Sequence, residues 1–128
     1  MGFNWQTILA VGSGGFVGAS LRFYVGLVVA KYFPHDISFA TLGVNIVGSF
    51  IMGVLVAVFL SYTPNHFVKL FILTGFLGAL TTYSTFAIES FLLLNNSIWL
   101  GILNIALNLL GSLVAVASGY KLITYFLR

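Results

Sequence analysis

The chain has no cysteine among its 128 residues. Disulfides, thiolate metal sites and thiol chemistry are therefore excluded. Charge is nearly as scarce, with five Lys or Arg and two Asp or Glu, 5% in all. A water-facing surface wants about 25–35% charged residues, so this chain cannot cover itself against water. The net charge of +3 is spread thinly and forms no basic run, which argues against nucleic acid as a partner. A Gly-rich phosphate loop that could power a pump is missing too. Met1–Gln6 lacks the basic start of a secretory signal, and the apolar run after it is too long for one. Gln6 stands where a myristoylation site wants Ser or Thr.

What the chain does have is apolar length. Hydrophobic residues make up 60%, which points to an all-α membrane protein of one domain, residues 1–128. Four runs each exceed the roughly 20 residues that cross a bilayer core. They cover about 5–33, 39–62, 68–94 and 98–126. Lys31, Pro34, His35 and Asp36 close the first, Thr63-Pro64-Asn65-His66 the second, and Asn95-Asn96-Ser97 the third. The loops are short, so any chemistry must sit within the spans. Trp5 suits an interfacial anchor.

Four spans put both termini on one side, with Lys69, Lys121 and Arg128. Lys31 and Arg22 lie towards the other. So small a bias is compatible with either orientation and with insertion both ways. A chain inserted both ways could pair antiparallel with itself. Small residues recur at four-residue spacing: Gly14 and Gly18, Ser49 and Gly53, and Gly111, Ala115 and Gly119. Such faces let helix backbones approach closely. They serve packing within the four-helix unit or between copies, and their number favours an oligomer.

Polar residues form stripes. Thr41, Asn45, Ser49 and Gly53 share one face of the second span, and Asn104, Asn108 and Ser112 one face of the fourth. Two roles stay open: hydrogen bonds between helices, or a lined path. Such a path would carry amide and hydroxyl donors and no fixed charge, which suits an anion. Tyr83 and Phe86 also share a face. Their electropositive ring edges could meet a small anion, or the rings could be apolar filler. In the third span, Gly75, Gly78, Thr81, Thr82, Ser84 and Thr85 favour a local break. A break frees carbonyls that can bind a cation; the alternative is a kink with hydroxyls folded back. Arg22 and Glu89 could pair or snorkel, each to settle a charge near the membrane. His35, Asp36 and His66 read as solvated loop residues, without the neighbours a metal site needs.

The segments TLGVNIVGSFIMG, TGFLGALTTYSTF, GSGGFVGASLRF and LNIALNLLGS resemble, in order and spacing, the Fluc (CrcB) fluoride channels. The resemblance implies a passive fluoride channel, not an enzyme, in a prokaryotic plasma (inner) membrane. It implies a dual-topology antiparallel homodimer with a broken third helix and two pores along the subunit interface. A structural sodium ion would be held by backbone carbonyls, here those of Gly78 and Thr81. Fluoride contacts would come from Asn45, Tyr83 and Phe86, with Arg22 near the vestibule. Thr82, Ser84 and Thr85 belong to the same motif, and at least one hydroxyl is expected along the track. Asn104 and Asn108 stand where some members carry Tyr and Ser in the pore-facing stripe, and Tyr83 replaces the family's usual Phe.

Two rivals come from other classes. A dual-topology small drug exporter also uses four short helices, but it needs a carboxylate near mid-membrane; the first span has none at its centre, and Glu89 is the only acid within the spans. A purely structural membrane subunit would carry no ion, and the hydroxyls of Thr81 to Thr85 would be dispensable.

Overall fold

The computed structural model describes residues 4–127. Residues 1–3 of the signal-peptide and acylation reading fall outside that range, as does Arg128 of the charge tally. Four helical spans are long and apolar enough to cross a membrane: Trp5–Tyr32, Phe39–Ser61, His66–Asn96 and Ile98–Phe126. The first is α1, the second α2 and the fourth α6. The third is composite. It opens with α3 (His66–Lys69), widens into a π-helical stretch (Leu70–Leu77), and returns to α geometry in α4 (Gly78–Leu80). After Thr81 and Thr82 it resumes as α5 (Tyr83–Asn96).

The helices start where short polar side chains can satisfy the first free N–H groups. Asn4 Oδ1 accepts from the Gln6 N–H at 3.0 Å, Ser38 Oγ from Thr41 at 3.3 Å, and Asn65 Oδ1 from Phe67 at 2.8 Å. Ser97 alone separates α5 from α6, with extended backbone (φ −151°, ψ 113°). That hairpin is tight. A Cβ at Gly101 would collide with the Leu94 side chain.

The spans pack in two close pairs, α1 with the π-helical stretch and α2 with α6. Glycine makes both possible. A Cβ on Gly14 would run into the Phe71 carbonyl, and one on Gly18 into the Phe76 carbonyl. A Cβ on Gly53 would meet the Val116 carbonyl, and one on Gly119 the Phe50 carbonyl. In each case the obstacle is backbone, so no rotamer change could relieve it. Gly111 faces the Ile46 side chain, and Ala115 is buried. The small-residue faces are thus spent inside the chain and give no separate argument for self-association. A core of Val44, Leu77 and Leu80 joins α2 to the third span. Most other large apolar side chains point outward, as bilayer solvent requires.

Candidate functional site

The site is built around the gap between α4 and α5, midway along the third span. Thr81 (φ −78°, ψ 155°) and Thr82 (φ −146°, ψ 119°) are both extended. Their hydroxyls favour this course. Thr82 Oγ1 accepts from the Thr85 N–H (3.3 Å) and donates to Thr85 Oγ1 (2.9 Å), so Thr82 caps α5. Thr81 Oγ1 donates back to the Leu77 carbonyl (3.0 Å). Its methyl lies over Gly48, where a Cβ would have no room. In a continuous helix the Thr82 N–H would bond the Gly78 carbonyl. Here it donates to Asn45 Oδ1 at 2.8 Å, and Asn45 Nδ2 donates to the Thr82 carbonyl at 3.1 Å. One amide on α2 therefore takes both backbone groups of the extended residue.

Asn45 is itself held. Its Nδ2 also donates to Asn108 Oδ1 (3.0 Å), and Asn108 Nδ2 donates to Asn104 Oδ1 (3.2 Å) and to the Asn104 carbonyl (3.1 Å). Asn104 Nδ2 donates to Ser90 Oγ (2.9 Å), whose hydroxyl donates to the Phe86 carbonyl (2.7 Å). All of these side chains are buried.

Two cavities flank the gap. One, of about 390 Å³, has a mostly apolar wall; Asn45, Ser49, Thr81, Thr82, Asn108 and Ser112 lie along it with the rings of Tyr83 and Phe86 and with Met52, Leu109, Leu113 and Val116. No charged side chain lines it. The rings meet edge to face, centroids 5.5 Å apart. Phe86 is buried, whereas Tyr83 is 76% exposed at mid-span. The other cavity, of about 660 Å³, opens near the loop between α1 and α2 and holds Arg22, His35, Ser38, Thr41, Thr85 and Glu89. Thr82 lines both.

The structure thus brings Asn45, Thr82, Tyr83, Phe86 and Asn108 to one cavity, and Arg22 and Thr85 to its neighbour. Ser84 is exposed and lines neither. Asn104 has no exposed surface and lines neither. Gly78 is exposed and Thr81 half-buried, on the two sides of the last turn before the gap. Arg22 and Glu89 share a cavity without a hydrogen bond between them: Glu89 Oε1 accepts from Thr41 Oγ1 (2.8 Å), and its buried Oε2 has no partner. Reading the sequence missed Ser90. Its only signal was a hydroxyl four residues after Phe86 in an otherwise apolar run. Ser49 and Ser112 were seen as stripe members and prove to be cavity-lining hydroxyls.

Comparison with known proteins finds relatives over nearly the whole chain. The fluoride-specific ion channel FluC of Sulfurimonas denitrificans is 58% identical over 127 residues, covering 98% of each chain. The channel of the same name from Nautilia profundicola is 40% identical over 127 residues, covering 98% of this chain and 99% of that one. A Campylobacter jejuni channel of that name is 48% identical over 120 residues, covering 90% and 95%. The family model for CrcB-like proteins, camphor resistance (CrcB), matches residues 9–120, and with that span and those identities the chain belongs to the CrcB family.

Proposed function

We propose that this chain is a passive fluoride-selective channel, not an enzyme, that lets cytoplasmic fluoride leave across a prokaryotic inner membrane. The full-length relatives bearing the name of fluoride-specific channel support the ion. The observation that carries the mechanism is an uncharged cavity, with amide and hydroxyl residues and two rings among its lining, beside extended backbone at mid-span. Non-helical backbone at membrane depth is tolerated only where protein covers it or it lines a polar cavity. In a single chain this region lies open, with Gly78 and Tyr83 exposed. A second copy inserted the other way would cover it and close the cavity into a narrow pore. Twofold symmetry would then give two pores along the interface.

Fluoride would arrive at the Arg22 cavity, drawn by the guanidinium, and pass Thr82 and Thr85 into the cavity between Phe86, Tyr83 and the serines. Hydroxyl donors and ring edges replace the water that the ion sheds. Neutral HF entering an acidified cell dissociates at the higher internal pH, and the negative membrane potential drives the anion out through such a path.

A sodium ion fits the donor set. A helix that ends at Leu80 leaves the carbonyls of its last turn without intrahelical partners. Neutral oxygen donors suit a hard cation, and Gly78 adds no side chain to obstruct it. The carbonyls of Gly78 and Thr81 from both copies would hold the ion. Bound there, it would supply positive charge and a tie between the two copies.

Two experiments test this reading. Bacteria stripped of their own fluoride exit and carrying this chain are expected to grow at external fluoride that arrests the parent strain. No protection would contradict the channel. Because the chain has no cysteine, a single cysteine introduced at Asn95 is the only thiol for an impermeant reagent. About half of the copies are expected to label from one side of the membrane. Labelling of all or none rules out opposite insertion.

A further inference from the structure

We infer that the buried amides of Asn45, Asn108 and Asn104, together with Ser90, form a relay that holds the gap open. In this role Asn45 is a positioning residue acting through Thr82 rather than a ligand of the permeating ion. The inference deepens the proposed channel and rests on it where flux is concerned; the relay itself can be tested without flux.

The relay begins and ends on the same short segment. One end is the Thr82 N–H and carbonyl, both bonded to Asn45 (2.8 and 3.1 Å). The other is the Phe86 carbonyl, bonded by Ser90 Oγ (2.7 Å). Between them the chain of donors runs through α2 and α6. It brackets Tyr83, Ser84 and Thr85.

Its polarity is fixed. Thr82 offers one donor and one acceptor, so a flipped Asn45 would set Nδ2 against an N–H. With Asn45 set, Asn108 must turn Oδ1 towards it and Nδ2 towards Asn104. Asn104 Nδ2 then faces Ser90. Both protons of Asn45 Nδ2 are committed, one to Thr82 and one to Asn108. Nothing is left for an ion unless one of those bonds breaks. By contrast, Ser49, Ser112 and Tyr83 lie along the same cavity and take no part in the relay. Asn104 has no exposed surface and lines neither cavity, so it reaches the path only through its neighbours. Breaking the relay at its far end would leave Asn108 held only through the Asn104 backbone carbonyl and would loosen Asn45, so the Thr82 N–H would lose its acceptor more often.

The experiment takes the full-length protein in detergent and in liposomes and compares Ser90→Ala, Asn104→Leu and Ser90→Thr with the wild type. Amide hydrogen exchange is followed over residues 80–86, and fluoride release is read with an electrode. Loss of one buried hydrogen bond should speed exchange at Thr82 by about tenfold in Ser90→Ala and by more in Asn104→Leu. Fluoride release should fall in the same order. Ser90→Thr keeps the hydroxyl and should restore both readouts. Wild-type exchange in Ser90→Ala and Asn104→Leu would overturn the relay, and so would lost release with unchanged exchange. Failure of the wild type to release fluoride would sink the channel reading instead, while the exchange arm would still decide the relay.

Discussion

Gly18→Val is expected to leave little folded protein. The added Cβ would fall on the Phe76 carbonyl, with the Leu80 N–H side of the next turn close behind. Overpacking against side chains costs about 1–3 kcal/mol when they can shift. Here the neighbour is backbone, in a π-helical stretch already seated on α1 through Gly14 and Gly75. The two segments would have to separate along their length, and α4 and the gap would move with them. The check is gel filtration in detergent together with thermal unfolding. Gly12→Ala is the matched control in the same helix, because nothing lies within 4 Å of its Cβ. It should unfold close to the wild-type temperature. A monodisperse Gly18→Val protein of wild-type stability would show that α1 does not sit on the third span as described.

Asn45→Leu is expected to lower fluoride release by about 100-fold or more, since it strands three buried groups at about 1–3 kcal/mol each. Those groups are the Thr82 N–H, the Thr82 carbonyl and Asn108 Oδ1. The cheapest repair is for the third span to rewind across the gap, which would erase the cavity floor. Asn45→Asp separates two causes. Its carboxylate can still accept from the Thr82 N–H, so exchange protection there should persist. It also places negative charge beside an anion path, so release should still fall. Fluoride release at the wild-type rate in both variants would remove Asn45 from the machinery, whether as ligand or as clamp.

Much of this architecture could be read from the sequence because the bilayer imposes few options. Apolar runs of 23 to 31 residues fix the number of spans, and the bounds read from them fall within about two residues of the helix ends. The glycines at 14, 18, 53 and 119 could be read as close-approach positions, but not which helix comes close. That depends on how four cylinders are rotated, and the answer, within the chain, removes them as evidence for pairing. The π-helical stretch Leu70–Leu77 was not legible, since LFILTGFL has the composition of any buried helix. The asparagines show the limit most clearly. Their four-residue spacing was plain, yet whether the amides face an ion or one another is decided by helix register across α2, α5 and α6. In the fold they face one another, with Ser90, which no stripe had included. Ser84, in the middle of the most distinctive motif, lies on the exposed surface. Arg22 and Glu89 line one cavity without a hydrogen bond between them; Thr41 donates to Glu89 Oε1 from the α2 side, and Oε2 has no partner.

The most direct measurement is ion release from liposomes that contain the purified full-length chain, loaded in turn with fluoride and with chloride. A potassium ionophore balances the charge. An uncharged, narrow, hydroxyl- and ring-lined path predicts rapid fluoride release with chloride retained. Equal release of both anions, or release of neither, would contradict it.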